Sequence, residues 1–240
     1  LKARRDAYDG RGNFKITSPD EVEKAYRHFD GKSLMVEKFV NFKMEVSVIA
    51  IRNTKGEIAT YPMVENIHED NILKITIAPA RVSDDVIRNA GEIAKKTMQV
   101  LNGAGVFGIE MFIDQNNKIL INEIAPRVHN SGHHTLQSCK TSQFEQHLRA
   151  ILGLDLGSTD LVHKTVMYNI LGPDGFEGKY KPVQLEKDGV YLKMYGKNVS
   201  KPQRKLGHFN VVDINDSKNT SELLGIADEI KNIVSIVSLD

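Results

Sequence analysis

Two glutamates on neighbouring predicted strands are the residues of this sequence whose type and spacing most clearly indicate chemistry. Two apolar runs flank the polar link DQNN, a pattern typical of a β-hairpin. A two-residue turn at Asn116 and Asn117 would place Glu110 directly opposite Glu123. Carboxylates that face each other on a sheet repel, and an unpaired charge among apolar neighbours is costly, so we expect a positive group between them.

The positive group that best fits two facing carboxylates is Mg²⁺. This ion takes one or two protein carboxylates and fills its remaining positions with water and substrate phosphates. Asn122 offers a further oxygen beside Glu123. Two alternatives stay open: a one-residue shift in register would separate the glutamates, and a Lys or Arg side chain could instead reach between them.

The composition is that of an ordinary folded protein and excludes several classes. The 240 residues are 40% hydrophobic and 26% charged, enough for one large domain or two small ones. The formal charge is +1, from 32 basic and 31 acidic residues, so we expect no nucleic-acid partner. Cys139 is the only cysteine, which excludes an internal disulfide and a cysteine-based zinc site.

The single cysteine is compatible with a reducing cytoplasm, which is the location we expect. No apolar run approaches the length of a membrane span and no signal peptide is recognisable, so we expect no membrane partner. The chain opens on Leu1 within a predicted strand and without an initiator Met, so we expect a fragment of a longer protein.

A glycine-containing segment near the start is a candidate phosphate-binding flap. Glycines let backbone N–H groups approach an anion closely, and neighbouring cations supply charge. An ordinary hairpin turn is the alternative, because DG followed by a second glycine also favours a turn. The density of cations favours the flap. The basic residues around DAYDGRGN are Lys2, Arg4, Arg5 and Arg11.

Apolar periodicity predicts a mixed α+β protein. Ser18, followed by Pro19 and Glu21, has the pattern of a helix N-cap, and Ser83 precedes the longest predicted helix in the same way. His68 lies in the predicted polar connection VENIHEDN and is by itself most simply a solvated side chain. The predicted helices span 19–30, 84–101, 142–152 and 221–237, and the predicted strands span 33–40, 44–52, 57–63, 72–78, 106–113, 118–125, 162–171, 189–195 and 207–212.

Two further loops concentrate polar side chains. The loop after the hairpin contains Arg127, His129 and Asn130 and is a candidate substrate rim. Zinc binding by its three histidines is the alternative, disfavoured because they lack a Cys partner and a helical HxxxH spacing. The second loop is either a solvated face or an anion site. Its basic residues are Lys197, Lys201, Arg204, Lys205 and His208.

Seven motifs, taken in order, resemble the 5-(carboxyamino)imidazole ribonucleotide synthase family of ATP-grasp ligases. They are KARRDAYDGRGN, EKFVNFKMEVSV, YPMVENIHEDNIL, GVFGIEMF, INEIAPRVHNSGHHT, SQFEQHLRAILG and RKLGHFNV. The resemblance covers about residues 1–212 and implies an α+β ATP-grasp fold, with antiparallel sheets and flanking helices, followed by a small C-terminal β-rich subdomain. The implied domains are 1–40 with the phosphate flap, 41–157 with the metal and substrate loops, and 158–240.

The resemblance also implies binding residues for ATP and Mg²⁺. The flap, an adenine-binding hinge EKFV and a ribose-binding acid are all present, although Ala7 stands where the family usually has Gly. The implied magnesium ligands are Glu110 and Glu123, with Asn122 beside them. The residues implied to bind ATP are Lys2, Ala7, Tyr8, Asp9, Gly10, Arg11, Gly12, Asn13, Glu37, Lys38, Phe39, Val40, Glu45, His68, Asn122 and Glu123.

The implied reaction is the ATP-dependent carboxylation of 5-aminoimidazole ribonucleotide with bicarbonate, through carboxyphosphate, in purine biosynthesis. Arg11 and Arg127 would hold the carboxyphosphate, and Asp9 would accept a proton from the attacking amine, so these three are the implied catalytic residues. Arg204 and Lys205 would bind the ribose 5-phosphate. The residues implied to bind the substrate are Tyr8, Asp9, Arg127, His129, Asn130, Lys197, Arg204 and Lys205.

Other function classes remain open. Another ATP-grasp ligase, such as a formate-using ribonucleotide transformylase or biotin carboxylase, would share the carboxylates and the flap but should lack HNSGH and RKLGH. A nucleotide-binding module without catalysis fits if the truncated chain cannot assemble the substrate pocket. RNA binding is disfavoured by the near-zero charge and the lack of aromatic stacking signals. The expected partners are therefore ATP, bicarbonate and 5-aminoimidazole ribonucleotide, and the resemblance allows a homodimer.

Overall fold

The structure is a computed structural model that describes residues 1–5, 12–181, 183–234 and 236–239. Within these ranges, none of the helices combines the length and the hydropathy of a membrane span. The helices are α1 (Val22–His28), α2 (Asp84–Leu101), α3 (Thr135–Ser138), α4 (Gln143–Ile151) and α5 (Thr220–Ile233). The strands are β1 (Lys2–Ala3), β2 (Leu34–Met35), β3 (Phe42–Arg52), β4 (Ile58–Thr60), β5 (Val64–Glu69), β6 (Ile72–Ala78), β7 (Gly105–Asp114), β8 (Ile119–Ala125), β9 (Thr165–Leu171), β10 (Val190–Met194) and β11 (Lys205–Val212).

The smaller of two compact units contains residues 1–41 and 68–72. Within it, β1 and β2 pair antiparallel, with Lys2 opposite Met35. The strand predicted at 33–40 is mostly wrong, because β2 ends at Met35. The adenine-hinge motif EKFV therefore follows this short strand instead of lying within it.

The larger unit, residues 42–67 and 73–240, is built on a sheet in which nine strands lie within the described residues. The strand order is β10-β11-β9-β6-β5-β3-β7-β8, and β4 pairs with β3 outside this row. Every pair whose register is described is antiparallel. The β-rich C-terminal part thus continues the same sheet through β9. This antiparallel arrangement with flanking helices confirms the predicted α+β class.

Strand β5 replaces the polar connection that was predicted for VENIHEDN. Its residue Asn66 lies opposite Glu45 of β3. Glu65 on the same strand is only 5% exposed and accepts hydrogen bonds from Arg81 at 2.8 and 2.5 Å. Because this buried acid is paired with an arginine, a polar residue occupies an inward position and hides the strand pattern in the sequence.

Helices cover both faces of the central strands β3 and β7, which explains why their sequences are nearly continuously apolar. On one face, Val46 and Ile109 share a core with α2. On the opposite face, Ile49 shares a core with α4. Ser47 precedes Ile49 by two residues and therefore lies on the same face, where it is opposite Glu110 of β7. The apolar cover of the second face therefore ends where the candidate site begins.

The helix predicted at 84–101 is confirmed by α2, and Ser18 and Ser83 both occupy N-cap positions as predicted. Ser18 makes no capping hydrogen bond to the described residues, and neither does Ser83 before α2. Instead, Glu21 accepts hydrogen bonds from the backbone N–H and the hydroxyl of Thr17, each at 2.7 Å. The carboxylate therefore stabilises the start of this helical segment in place of the serine.

A capping box is present at the start of α5, formed by Asn219 and Glu222. Asn219 Oδ1 accepts from the N–H of Glu222 at 3.0 Å, and Glu222 Oε2 accepts from the N–H of Asn219 at 2.7 Å. Each of the two side chains thus accepts from an N–H group that the helix itself leaves unbonded. α5 then packs on β9 and β11, where Leu223 and Phe209 share a core.

These two helix starts predict different responses to alanine. Asn219→Ala should lower the free energy of unfolding by about 1 kcal/mol, because it removes the acceptor for a helix N–H group. Ser18→Ala, the matched control, should change it by much less. Urea denaturation of both variants measures the difference, and equal losses would contradict the capping assignment.

Candidate active site

Glu110 lies opposite Glu123 in the ladder between β7 and β8, as predicted. The turn expected to produce this register is wrong, because the N–H of Asp114 donates to Lys118 at 3.0 Å across a three-residue turn. A bulge at Asn122 adds one residue to β8 between the turn and the glutamates. The bulge restores the facing pair, so the alternative register that separated the glutamates is wrong.

Solvent reaches both glutamates, which contradicts the expectation from their apolar neighbours in the sequence. The side chain of Glu110 is 23% exposed, and Glu123 is exposed. On the protein side, His129 Nε2 lies 3.3 Å from Glu110 Oε1. An imidazole N–H donates to a carboxylate in either charge state of the ring. Glu110 is thus oriented by a histidine, while Glu123 faces solvent.

This arrangement fits Mg²⁺ better than zinc. No group of three or more His, Cys, Asp and Glu side chains is arranged to hold a metal ion within the described ranges. A structural zinc site needs four such ligands. Mg²⁺ needs only one or two carboxylates, such as the accessible pair Glu110 and Glu123, and completes its shell with water and phosphate oxygens.

Gln143 of α4 fixes the loop that carries His129. The amide of Gln143 is fully buried; its Oε1 accepts from the N–H of His129 at 2.9 Å, and its Nε2 donates to the carbonyl of His129 at 2.7 Å. Gly108 of β7 leaves space on the sheet side, because a Cβ there would lie 2.5 Å from His129 Cβ and Cγ. The imidazole is therefore clamped between α4 and β7.

The neighbouring residues of the predicted substrate rim have separate roles in the structure. Arg127 is exposed, and its guanidinium donates to the carbonyl of Val128 at 3.0 Å. The amides of Asn130 and Asn169 exchange two hydrogen bonds, at 2.9 and 2.6 Å, and Asn169 also donates to the carbonyl of Leu73 at 3.0 Å. Asn130 therefore tethers the loop to β9 and β6, and substrate contact by it stays a prediction.

Two basic side chains of the C-terminal loop are hydrogen-bonded to the main chain. Lys197 Nζ donates to the carbonyl of Lys205 at 2.7 Å, and the guanidinium of Arg204 donates to a backbone carbonyl at 2.9 Å. Lys201 instead pairs with Glu177 at the surface, at 2.7 Å. Main-chain contacts thus order the side chains of Lys197 and Arg204, and anion binding by this loop stays a prediction.

His208 does not add a charge to these cations near neutral pH. Its ring lies 4.9 Å from the ring of His133, and the hydroxyl of Tyr195 is 2.9 Å from His208 Nδ1. Burial, with a smaller contribution from Lys193, lowers the pKa of His208 to about 4. Burial and the neighbouring histidines lower the pKa of His133 to about 3. Both rings are therefore neutral hydrogen-bonding groups at pH 7.

The smaller unit holds most of the residues predicted to bind ATP. Lys2 Nζ lies 2.6 Å from Glu37 Oε2, so two of them form an ion pair. The ring of Phe39 is 61% exposed, with Lys15 Nζ 4.0 Å from its centroid. Lys38 and Val40 flank it in the segment after β2, where Lys38 is exposed and Val40 is half-buried.

The remaining predicted nucleotide residues are distributed over several elements. Gly12 is buried and its carbonyl accepts from the N–H of Ala3 at 2.8 Å, while Asn13 pairs with Lys2. His68 is half-buried on β5, and Glu45 is half-buried on β3 of the larger unit. Five flap residues lie outside the described residues: Ala7, Tyr8, Asp9, Gly10 and Arg11.

Sequence reasoning missed the buried polar residues that support His129. Ser47 and Ser131 are fully buried, and their hydroxyl oxygens are 2.7 Å apart. Asn66 is 4% exposed and donates to Ser47 at 2.9 Å. A serine within the apolar run EVSVIAI was the available signal, because a polar residue in a fully covered strand requires a partner.

Comparison with known proteins agrees with this geometry. A model of the ATP-grasp domain matches residues 1–144, and a model of the phosphoribosylaminoimidazole carboxylase C-terminal domain matches residues 165–222. Because the first covers more than half of the chain, the chain belongs to the ATP-grasp family. Within it, the chain is similar to N5-carboxyaminoimidazole ribonucleotide synthases, which confirms the resemblance of the sequence motifs.

Three relatives illustrate this similarity. The Bacillus subtilis N5-carboxyaminoimidazole ribonucleotide synthase is 44% identical over 208 residues, which are 87% of this chain and 54% of the relative. The Thermotoga maritima synthetase structure is 42% identical, with a TM-score of 0.81 over 95% of this chain and 60% of that one. The Aspergillus clavatus synthase, in complex with ADP and 5-aminoimidazole ribonucleotide, is 34% identical, with a TM-score of 0.83 over 97% and 61%. The chain thus spans about half the length of its curated relatives.

The close approach at Gly108 predicts a specific defect. Gly108→Ala should displace the His129 ring from Glu110 and lower the free energy of unfolding by about 1–3 kcal/mol, because the added methyl overlaps the imidazole. Gly225→Ala is the control, since a Cβ there meets nothing within 4 Å and alanine favours the helix by about 0.5–1 kcal/mol. Urea midpoints of the two variants should move in opposite directions; a shift in the same direction would contradict the clamp.

The lowered pKa of His208 predicts how stability depends on pH. Between the ordinary value of 6.5 and the folded value of about 4, the unfolded chain binds a proton that the folded chain does not. The free energy of unfolding should therefore fall as pH decreases from 6.5 to 4, by about 1.4 kcal/mol per pH unit for this histidine. His208→Gln should flatten the slope by that amount, whereas the exposed control His28→Gln should leave it unchanged.

Urea unfolding measured at intervals across this pH range gives the slope for each protein. Parallel slopes for the parent and His208→Gln would show that the His208 ring is not kept neutral by the fold.

Proposed function

We propose that this chain is the ATP-grasp part of an N5-carboxyaminoimidazole ribonucleotide synthase, an ATP-dependent carbon–nitrogen ligase of purine biosynthesis. The observation that carries the proposal is the facing pair Glu110 and Glu123, held beside the clamped loop HNSGH. Relatives named for this activity, one of them in complex with ADP and 5-aminoimidazole ribonucleotide, support the choice of substrates. The partners are small molecules: ATP, bicarbonate and 5-aminoimidazole ribonucleotide.

The assignment of residues to ATP follows the family resemblance. Lys2 and the flap residues are assigned to the phosphates, the hinge 37–40 to adenine, Glu45 to the ribose hydroxyls, and His68 to a further nucleotide contact. Mg²⁺, held by Glu110 and Glu123 with Asn122 nearby, would neutralise charge on the ATP phosphates.

The first step would transfer the γ-phosphoryl group of ATP. A bicarbonate oxygen forms a bond to the γ-phosphorus, the bond to the β-phosphate oxygen breaks, and ADP leaves, which gives carboxyphosphate. Arg11 and Arg127 would bind this labile anion, because guanidinium groups pair with phosphate and carboxylate oxygens through two parallel hydrogen bonds. The exposed position of Arg127 at the start of the loop suits this role.

The second step would join nitrogen to carbon. The exocyclic amine of the aminoimidazole attacks the carboxyl carbon, the carbon–oxygen bond to phosphate breaks, and inorganic phosphate leaves. Asp9 would accept the proton that the amine loses. Lys197, Arg204 and Lys205 would bind the ribose 5-phosphate, and Tyr8, His129 and Asn130 would contact the rest of the nucleotide. The ordered C-terminal cations supply this phosphate site within the larger unit.

Two expectations about the cellular state complete the proposal. The cytoplasm is the proposed location, because the lone thiol of Cys139 is buried and free. A homodimer is the proposed assembly on the strength of family resemblance alone, and sedimentation of the full-length protein tests it.

Phosphate release in the full-length protein, supplied with ATP and bicarbonate, tests the function. We expect release to increase only when 5-aminoimidazole ribonucleotide is added. Glu123→Gln should lower this rate by on the order of 100-fold or more, because the metal ion supplies several kcal/mol of charge stabilisation. Glu92→Gln on the exposed face of α2 is the control and should not change it.

The outcomes separate the competing readings. Undiminished release by Glu123→Gln would overturn the magnesium assignment. Nucleotide binding without any phosphate release would favour a binding module, and release that ignores the aminoimidazole substrate would favour a different ATP-grasp ligase.

A further inference from the structure

A continuous row of buried polar side chains crosses the larger unit and ends at Glu110. Thr76 Oγ1 lies 3.0 Å from Asn66 Oδ1, and Asn66 Nδ2 lies 2.9 Å from Ser47 Oγ. Ser47 Oγ lies 2.7 Å from Ser131 Oγ, which is 2.9 Å from Nδ1 of His129. His129 Nε2 then reaches Glu110 Oε1 at 3.3 Å. Four strands and one loop thus contribute to one chain of hydrogen bonds.

The direction of each hydrogen bond follows from the His129 end of the row. The backbone N–H of Ser131 can only donate, and it points at His129 Nδ1 at 3.4 Å, so Nδ1 is an acceptor. The Ser131 hydroxyl therefore donates to the same Nδ1, and its oxygen accepts from Ser47. The Ser47 oxygen accepts in turn from the Asn66 amide, whose carbonyl accepts from Thr76.

This direction settles which ring nitrogen carries the proton in the neutral imidazole. Because Nδ1 of His129 accepts two hydrogen bonds, the proton of the neutral ring sits on Nε2, which faces Glu110. Reversal of the row would place a lone pair of Nε2 against the carboxylate, which repels it. A neutral hydroxyl and amide row is therefore enough to choose the tautomer.

We propose that Asn66, Ser47 and Ser131 are positioning residues that hold His129 in the Nε2–H tautomer, so that it orients the Glu110 carboxylate. The imidazole contacts one carboxylate oxygen of Glu110. Because the carboxylate is planar, this contact also restricts the direction of the second oxygen. This proposal rests on the proposed function, in which Glu110 binds Mg²⁺. Groups that orient a metal ligand in this way commonly change metal affinity or activity by 10–100-fold when removed.

The row could simply satisfy buried polar groups, so the test must read the tautomer itself. Asn66→Asp is nearly isosteric, and its carboxylate, when ionised, replaces the donating amide with a group that only accepts. Ser47 must then donate to residue 66, Ser131 must donate to Ser47, and the Ser131 oxygen must accept from His129 Nδ1. A row that only filled space would show no such reversal at a ring three hydrogen bonds away.

Long-range proton–nitrogen correlation spectra of the full-length protein, labelled with ¹⁵N-histidine and free of nucleotide, report which nitrogen is protonated. A His129→Gln variant assigns the signals. We expect a proton on Nε2 alone in the parent protein and a proton on Nδ1 in Asn66→Asp. A parent ring protonated on Nδ1, or a variant that keeps the parent tautomer, would overturn the proposal whether or not the protein turns over ATP.

Kinetics provide a second readout. Ser131→Ala removes the hydroxyl without adding a charge, and it should raise the Mg²⁺ concentration for half-maximal phosphate release by about 10-fold. Ser138→Ala is the matched control, because Ser138 is equally buried and bonds a different histidine, His134, at 2.7 Å. Equal Mg²⁺ requirements for the two alanine variants would overturn the positioning role, while the spectra remain informative if either variant folds poorly.

Discussion

The structure depends on holding two carboxylates opposite each other on adjacent strands, against their mutual repulsion. The backbone ladder between β7 and β8 fixes Glu110 and Glu123 in this register, and the bulge at Asn122 sets its phase. On the reverse face, alternate residues of the same strands are buried in the core with α2. Burial on that face resists any slip, because a one-residue shift would turn the apolar side chains outward. Hydrophobic packing therefore maintains an electrostatically unfavourable pair.

The second constraint is the cost of burying polar groups around that pair. Gln143 satisfies both backbone groups of His129, and the hydroxyl row satisfies its Nδ1. Each of these partners is itself buried, so water does not compete for the hydrogen bonds that hold the ring. The loop is thereby hydrogen-bonded both to α4 and to β3 of the sheet beneath it. The glycine at 108 completes the arrangement by admitting the ring to the surface of β7.

Sequence reasoning predicted the facing glutamates correctly, but from a wrong turn. The period of two in a strand determined which face each residue takes, whereas the bulge at Asn122 compensated for an extra turn residue. Strand β5 escaped detection because Glu65 is buried through Arg81, a partner distant in sequence. The partners that support His129 were missed for the same reason: a serine in an apolar run signals a buried polar residue, but the local pattern does not contain its long-range partner.

The antiparallel sheet explains how residues far apart in the chain are held within one unit. β9 pairs with β6 and β11 pairs with β9, so the loop containing Lys197 and Arg204 belongs to the same sheet as the strands that carry the glutamates. The reciprocal amides of Asn130 and Asn169 add a direct link from the HNSGH loop to β9. A displacement of β9 would therefore disturb both the C-terminal cations and the clamped loop. Residues that are distant along the chain can lie in one sheet because strand pairing, and not sequence proximity, determines their positions within the larger unit.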